Sequence, residues 1–309
     1  MTSKRFQNKN MMKIKFLTAL TLLLCLSTKT ISAQGLADGF FNKKGKTNIA
    51  LSYTYGTFDK FYLGSTEVDA VPAHENIDQT IYNLYVNYGL TDNITVIANV
   101  PYIKAEGFGA PDPVNNETEQ SGVQDVSFLV KWSPFKRITE TGSVTYIAAL
   151  GGSIASGYEP NGILSIGNGA SSIDAKLGLH FQRNNGFFGT VFVGYNLKGK
   201  ADNNLNVGNG DSFDAPNSLN TQIKLGYCFK YFYIDTWFDA QKTNGNIDIG
   251  GTGFFGNFPE TAVNYSRVGL NMYAPITGNI GVSVGGGTVV NGRNVGKTTF
   301  YSGGLVLSL

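Results

Sequence analysis

The residues with catalytic potential are few and far apart in this sequence. Its only histidines are His74 and His180, and neither stands in a metal-ligand spacing or beside a cysteine. A Gly-x-Ser-x-Gly motif, which would present a nucleophilic serine, does not occur. Residues 251–256 match the dinucleotide-binding fingerprint by letter, but no helical pattern follows them. The sequence therefore predicts no metal, no cofactor and no enzyme.

Ten titratable side chains occupy the more polar faces of predicted strands. A lysine or arginine that faces lipid costs roughly 2–4 kcal/mol near the middle of a bilayer, so these faces should turn toward a wet interior. Either they line a permeation path or they only hydrate and brace that interior. These candidates are Asp125, Lys131, Asp174, Lys176, His180, Lys198, Lys224, Asp235, Asp239 and Arg267. The same faces carry aromatic residues that a simple water pore does not require, namely Tyr85, Phe192, Tyr233 and Trp237.

These residues must be positioned by strands, because a two-residue period runs through most of the chain. In residues 173–182, apolar side chains at odd positions alternate with polar ones and glycine at even positions. No helical period separates the stretches, so the pattern predicts an all-β transmembrane antiparallel up-and-down β-barrel of about 12 strands. The predicted strands are 45–58, 78–90, 94–105, 123–133, 142–156, 171–183, 187–199, 217–229, 231–243, 261–274, 280–290 and 298–309.

Composition agrees with a barrel in a membrane. Only 15% of the 309 residues are charged, whereas soluble domains carry roughly 25%. The mean hydropathy is -0.08, and no apolar run reaches the length of about 18 residues that a membrane-spanning helix needs. Connections alternate between short turns, such as 184–186, and long loops, such as 59–77. This asymmetry is typical of outer-membrane barrels, whose turns are periplasmic and whose loops are external. Residues 291–297 are the exception, because they should be external but are short.

The first 33 residues have the pattern of a signal peptide. Basic residues precede the apolar run 16–26, and a cleavage site follows Ala33, with either Met1 or Met12 as the start. Acylation of Cys25 is disfavoured, because Leu22-Leu23-Leu24 lacks the small residues expected just before the cysteine. Cleavage would remove six positive charges and change the formal charge from +2 to -4. The basic pI therefore gives no reason to expect nucleic acid as a partner, and residues 34–309 form the predicted barrel domain. Cys228 is then the single cysteine, which excludes a disulfide framework.

The C-terminal stretch, residues 298–309, alternates and ends on an apolar residue. In water such a strand would expose an unprotected edge, whereas in a closed barrel it pairs with the first strand. The spacing Ser302-x-Gly304-x-x-Leu307-x-Leu309 resembles the C-terminal signal of bacterial outer-membrane barrels, although Leu309 stands where an aromatic residue is usual. This resemblance implies recognition by the barrel-assembly machinery.

Two segments carry a family likeness, Tyr88–Tyr102 and Gly122–Trp132. The first contains a Tyr-Gly-Leu-Thr-Asp turn and a Pro-Tyr pair. The second has Gly122 and Asp125 before a strand that ends in Lys131 and Trp132. Together they resemble the signature of a family of outer-membrane transporters named for the meta-cleavage pathway of phenol degradation. The resemblance covers roughly residues 80–135. It implies a barrel that passes small hydrophobic or aromatic compounds, without identifying a substrate.

We therefore predict a Gram-negative outer-membrane channel or transporter, porin-like, for passive uptake of small molecules, hydrophobic or aromatic ones among them. Its expected partners are outer-membrane lipids, lipopolysaccharide, the assembly machinery and a small-molecule solute. An inward-folded loop, 106–122 or 244–260, is expected to constrict the lumen. Two alternatives remain: a lipid-modifying enzyme with His74 or His180 as its base, and a non-conducting structural or adhesive barrel.

Overall fold

The computed structural model describes residues 38–203, 211–245 and 247–309. The predicted signal peptide, residues 1–33, lies outside these ranges. Within them the chain is almost entirely strands and turns, with one short 3-10 helix at Phe258–Glu260. Among the described residues, no helix has the length and apolarity needed to cross a membrane.

Twelve long antiparallel strands in the described part of the chain form a closed barrel, as predicted. Each strand pairs with the next one along the chain, and the last pairs with the first. The strands are β1 Thr47–Phe58, β2 His74–Thr91, β3 Ile94–Gly109, β4 Val126–Thr139, β5 Gly142–Ile154, β6 Ser172–Arg183, β7 Phe187–Lys198, β8 Ser218–Cys228, β9 Tyr233–Thr243, β10 Asn264–Pro275, β11 Ile280–Arg293 and β12 Thr299–Ser308.

The ring closes between β1 and β12. Their register runs from the pair Asn48↔Ser308 to the pair Thr57↔Thr299. Beyond it, the Leu309 amide donates to the Thr47 carbonyl at 2.8 Å, and the Thr47 amide donates back at 3.1 Å. The C-terminal strand therefore has hydrogen-bonded neighbours on both sides, which confirms the expected loss of its exposed edge.

Alternate side chains point out of the barrel or into its lumen. On β6, Leu177 is 70% exposed on the outside, whereas Lys176 faces a cavity in the lumen. Short turns and the C-terminus lie at one end, which we call the turn end, and long loops lie at the other, the loop end. Between them the outer surface is an apolar belt, with exposed side chains such as Leu51, Leu84, Leu150, Leu270 and Leu305.

Strand β4 continues further than the sequence predicts. The interval 134–141 was expected to be a turn, but the strand runs to Thr139 and continues to pair with β5. A register shift between Trp132 and Phe135 places Pro134 at a bulge, where a missing amide is tolerated. Strand β3 pairs with β4 only as far as Trp132. The last residues of β4 therefore keep β5 as a neighbour and extend beyond the end of their pairing with β3.

A small sheet at the loop end explains why the connection 291–297 is short. Val295–Gly296 pairs with Phe61–Leu63, which in turn pairs with Thr66–Val68. Asn294 makes the bend before this sheet with a φ of 51°. The connection is short because it crosses directly onto the loop between β1 and β2.

We expect the cost of an outward charge to depend on its depth in the apolar belt. Leu177→Arg, near the middle of β6, should lower the free energy of unfolding in phospholipid vesicles by about 2–4 kcal/mol. Ile173→Arg, outward on the same strand but near the loop end, should cost about 0–1 kcal/mol. Denaturant unfolding in vesicles measures both values. Equal costs at the two positions would contradict the assignment of this face to lipid.

Candidate functional site in the barrel lumen

A cavity of about 840 Å³ occupies the loop-end half of the lumen. Seven of the ten predicted pore-lining residues surround it, so side chains that lie far apart in the sequence meet here. They are Asp125, Asp174, Lys176, Lys198, Lys224, Asp239 and Arg267. The other three, Lys131, His180 and Asp235, do not line this cavity and lie nearer the turn end.

The turn-end half of the lumen is packed with apolar side chains. The buried cluster there is Ala50, Tyr85, Ile97, Leu129, Ile147, Ala149, Phe188, Phe192, Tyr233, Tyr273 and Val306. The chain just before β1, residues 38–46, which we call the N-terminal segment, enters this half. Phe40 and Phe41 pack against the cluster. The sequence drew attention to Tyr85, Phe192 and Tyr233 as apolar residues facing inward, but their packing with the N-terminal segment was not expected.

Lys131 anchors the N-terminal segment. Its Nζ donates to the Asp38 carboxylate at 2.8 Å, to the Asp38 carbonyl at 2.9 Å and to the Phe40 carbonyl at 2.5 Å. The side chains of Lys131 and Asp38 are each 1% exposed, and the Phe41 ring lies 4.6 Å from Nζ. Removing one partner of a buried ion pair typically costs about 3–5 kcal/mol, because the other charge is left buried and unpaired.

His180 contacts the same segment. Its Nδ1 is 2.8 Å from the Thr190 hydroxyl, and its ring meets the Phe40 ring edge-on at 4.7 Å. A side chain at Gly39 would collide with the imidazole, because an added Cβ would lie 2.0 Å from Nδ1. The close fit makes His180 a packing partner of the N-terminal segment.

Two further ion pairs of the lumen lie along the wall. Arg267 donates to Asp239, its register partner on the neighbouring strand. Lys224 Nζ lies 3.9 Å from Asp235 on the adjacent strand. Neighbouring strands are only about 4.8 Å apart, so these pairs form without spanning the lumen. Because they follow the wall, these pairs leave the centre of the cavity open.

Lys176 and Lys198 also line the cavity, but their surroundings differ from those of Lys224. Among the residues that the structure describes, no carboxylate lies within ion-pair distance of Lys176 or Lys198. The nearby Asp174 carboxylate instead accepts from Asn196 Nδ2 at 2.9 Å. The β6–β7 wall therefore presents amines to the cavity that can meet a polar or anionic group of a solute.

A row of four residues on the opposite wall forms a flat aromatic surface. Trp237, Gly269, Gly287 and Phe300 are successive register partners on β9, β10, β11 and β12. The rings of Trp237 and Phe300 stack at 6.0 Å with an interplanar angle of 23°. A Cβ at Gly269 would lie 2.2 Å from the indole, and one at Gly287 would lie 2.8 Å from it. The two glycines therefore let the rings lie against the wall with the cavity in front of them.

Loops at the loop end cover the cavity. The connection between β5 and β6 contributes residues 162–163 and 165–168, and the connection between β9 and β10 contributes Ile249, Phe258 and Thr261. The position of loop 244–260 at the cavity thus agrees with the constriction expected from the sequence. None of the residues 106–122 lines the cavity. The end of this stretch, from Glu119, instead pairs with β3.

A half-buried carboxylate ties the β5–β6 connection to the barrel. The Tyr158 hydroxyl donates to Asp125 at 2.7 Å and accepts from the Gly169 amide at 3.0 Å. Asp125 therefore serves at least in part to hold the cover of the cavity.

A second latch holds the β9–β10 connection. Arg293 donates to Asp248 from Nε at 2.6 Å and from a terminal nitrogen at 3.0 Å. Asn294 donates to Asp248 and to the Ala262 carbonyl, each at 2.9 Å, and accepts from the Gly64 amide at 3.0 Å. The hydrogen bonds from Arg293 hold the pKa of Asp248 below its ordinary value. Two loops are therefore joined to β11 at one point.

The two histidines do not form a joint site. His74 begins β2 at the loop end, where it packs on Gly107, whereas His180 lies toward the turn end of β6. Among the described residues no group of histidine, cysteine and carboxylate side chains could hold a metal ion.

Comparisons with known proteins support the fold. No family model matches the chain, and no curated protein matches it. An outer membrane channel from Pseudomonas putida F1 is 13% identical and aligns with a TM-score of 0.71, over 89% of this chain and all of that one. The chain shares the fold of that channel. The NanC porin is 11% identical with a TM-score of 0.49, over 85% of this chain and all of that one. The likeness to the phenol meta-pathway family stays a prediction.

We expect the Asp248–Arg293 latch to open in acid. The folded-state pKa of Asp248 lies below its ordinary 3.8. The stabilisation that the ion pair gives to the latch is therefore fully present above pH 3.8, and it is lost as the pH falls through the lowered pKa. A spin label at Thr252→Cys, in a Cys228→Ser background, should become more mobile below pH about 4.

Arg293→Gln should make the same label mobile at neutral pH. Lys242→Gln, which removes an exposed charge at the same end of the barrel, serves as the control and should leave the label unchanged. A label whose mobility is independent of both pH and Arg293 would contradict the latch.

Proposed function

We propose that this protein is an outer-membrane channel for the passive passage of small molecules. The observation that carries the proposal is the lumenal cavity of about 840 Å³, which lies inside a closed barrel with an apolar outer belt. A wall that is apolar outside and carries charged groups inside suits a bilayer around it and a solute within it. The charged residues that surround the cavity then line the path of the solute.

The orientation of the barrel in the membrane follows from the difference between its two ends. The loop end faces outward, toward lipopolysaccharide, and the turn end with the C-terminus faces the periplasm. The terminal strand that pairs with β1 carries the residues Ser302 to Leu309, which fit recognition by the barrel-assembly machinery. Lipids of the outer membrane contact the apolar belt.

Passage through the lumen requires the N-terminal segment to move. Phe40 and Phe41 fill the turn-end half together with the buried cluster, and Lys131 holds the segment through Asp38. Gly45 and Lys46 bond to Gly89 of β2, so the part that can leave the lumen without breaking strand pairing is Asp38 to Phe41. We therefore assign it the role of a plug that closes the periplasmic exit.

The aromatic row gives the solute a chemical class. Trp237 and Phe300 offer flat apolar rings, while Lys176 and Lys198 stand on the β6–β7 wall of the same cavity. Stacking on an aromatic ring adds about 0.5–1.5 kcal/mol beyond area burial. We propose small, flat, hydrophobic or aromatic molecules as solutes, including those with one polar or anionic group.

The packed turn-end half supports a second candidate, a non-conducting structural barrel. If the N-terminal segment never leaves, the buried cluster closes the lumen permanently. Electrical recordings in planar bilayers separate the two candidates.

We expect purified protein in a planar bilayer to conduct, and Asp38→Asn to conduct more. The substitution removes the carboxylate that Lys131 contacts, so the plug should be displaced more often and the mean current should rise several-fold. Glu140→Gln is the matched control, because it removes an exposed carboxylate at the same end outside the lumen. A complete lack of current in the wild type and in Asp38→Asn would establish the structural barrel instead.

We expect an aromatic solute to quench Trp237. The chain has two tryptophans, and Trp132 points outward with 47% exposure. A Trp132→Phe variant therefore reports on the cavity alone. Benzoate should quench its fluorescence with saturation, and Phe300→Ala should weaken binding about two- to tenfold by removing one ring of the surface.

Trp237→Phe, in which only the outward Trp132 emits, should show no saturable quenching by benzoate. Linear collisional quenching of both single-tryptophan variants would reject the aromatic row as a binding surface. Conductance without such binding would leave the channel proposal standing and remove only the solute class.

A further inference from the structure

The outer surface of the turn end carries basic residues on one side of the barrel. Arg137 follows the bulge on β4, Arg183 ends β6, and Lys230 lies in the turn between β8 and β9. All three are exposed. Glu140, in the β4–β5 turn, is the exposed acidic residue of this sector, and Lys136 is a further exposed cation on the lumenal side of β4.

The register shows that Arg137 and Arg183 face outward. Arg137 pairs with Val144, two residues before the outward Tyr146 on β5. Arg183 follows Leu177 and Leu179 at two-residue intervals on the outward face of β6. Asn184 Nδ2 donates to the Glu140 carbonyl at 2.8 Å, which ties the two turns together. The two guanidinium groups are therefore held on neighbouring parts of one outer surface.

Aromatic rings lie beside these cations. Phe181 and Phe187 contact each other at 5.7 Å, and Tyr227 and Phe229 do so at 4.7 Å. Lys230 Nζ lies 5.0 Å from the centre of the Tyr231 ring. Girdles of aromatic residues mark both interfaces of outer-membrane barrels, so the basic residues stand at headgroup depth. We call Arg137, Arg183, Lys230 and these rings the basic interfacial patch.

We propose that the basic interfacial patch binds the phosphate of an anionic phospholipid in the periplasmic leaflet. The inference rests on the membrane location proposed above. Among the described residues no carboxylate lies within ion-pair distance of Arg137 or Arg183, and guanidinium groups suit phosphate geometry. Cations near a membrane surface attract anionic lipid. The other turns lack this combination, because 91–93 carries Asp92 and 276–279 carries no charge.

A lipid fits this surface better than a soluble anion. The cations border an apolar belt, so a bound molecule must place acyl chains against Phe181, Phe187 and the outward side chains above them. A free phosphate would gain only the charge interaction, which is weak at an exposed site.

The test uses Trp132 as the reporter, because it faces outward on β4 just before the bulge. A Trp237→Phe variant, in which only Trp132 emits, is reconstituted in phosphatidylcholine that contains brominated phosphatidylglycerol or brominated phosphatidylcholine. The relative association constant of the anionic lipid follows from the two quenching curves. We expect preferential quenching by the anionic lipid, weakened by 1 M salt because screening then acts within about 3 Å.

Arg137→Gln, Arg183→Gln and Lys230→Gln should each reduce the preference up to about fivefold. The triple variant should lose it. Lys43→Gln, Lys44→Gln and Lys46→Gln together are the matched control, because they remove three exposed cations at the same end but outside the patch. This control should keep the preference, and millimolar inorganic phosphate should not compete.

Equal quenching by the two brominated lipids would overturn the proposal, as would an unchanged preference in the triple variant. Competition by inorganic phosphate would show a general anion site in place of a lipid site. A lack of quenching by either lipid would overturn the membrane location itself. Conductance together with an absence of lipid preference in protein whose patch is intact would overturn only the lipid inference, so the two failures can be told apart.

Discussion

The structure depends on the hydrogen bonding that joins the last strand to the first. In hydrocarbon each backbone amide and carbonyl must find a partner within the protein, and only a helix or a closed sheet provides one for every group. The pairing of β1 with β12 meets this requirement. Because closure fixes the register of each strand, it also fixes which side chains face lipid and which face the lumen. The row of Trp237, Gly269, Gly287 and Phe300 exists only because these registers agree across four strands.

The lumen has a packed half and an open half because one buried lysine requires hydrogen-bond acceptors. Lys131 is fully buried on the inner face of β4, where an amine without acceptors would be strongly unfavourable. The chain supplies those acceptors from Asp38 and Phe40, which precede β1. One buried cation thus accounts for the position of the N-terminal segment, and the segment accounts for the difference between a packed half and an open half.

Most of the fold could be predicted from the sequence because a two-residue period survives in almost every strand. The extension of β4 was missed, since Pro134 looks like the end of a strand until the bulge places it outside the ladder. The interior was harder to predict. The inward charges were recognised from alternation, and seven of them meet at the cavity. The pairing of Lys131 with Asp38 was not recognised, because the two residues are 93 positions apart and only the three-dimensional structure brings them together. Trp237 was noted as apolar and inward, but its flat setting depends on glycines in other strands.

The glycine pair beneath the tryptophan also makes the lining of the cavity independent of the strand ladder that supports it. These two features are usually coupled in a barrel. The ring surfaces rest on bare backbone, so other flat side chains at 237 or 300 would find the same support, and the lining could be changed while the ladder beneath it stays intact. A methyl group at Gly269 or Gly287 would instead force the rings toward the centre. Variation in what the barrel accepts should therefore arise at the two aromatic positions, with the two glycines held constant by steric necessity.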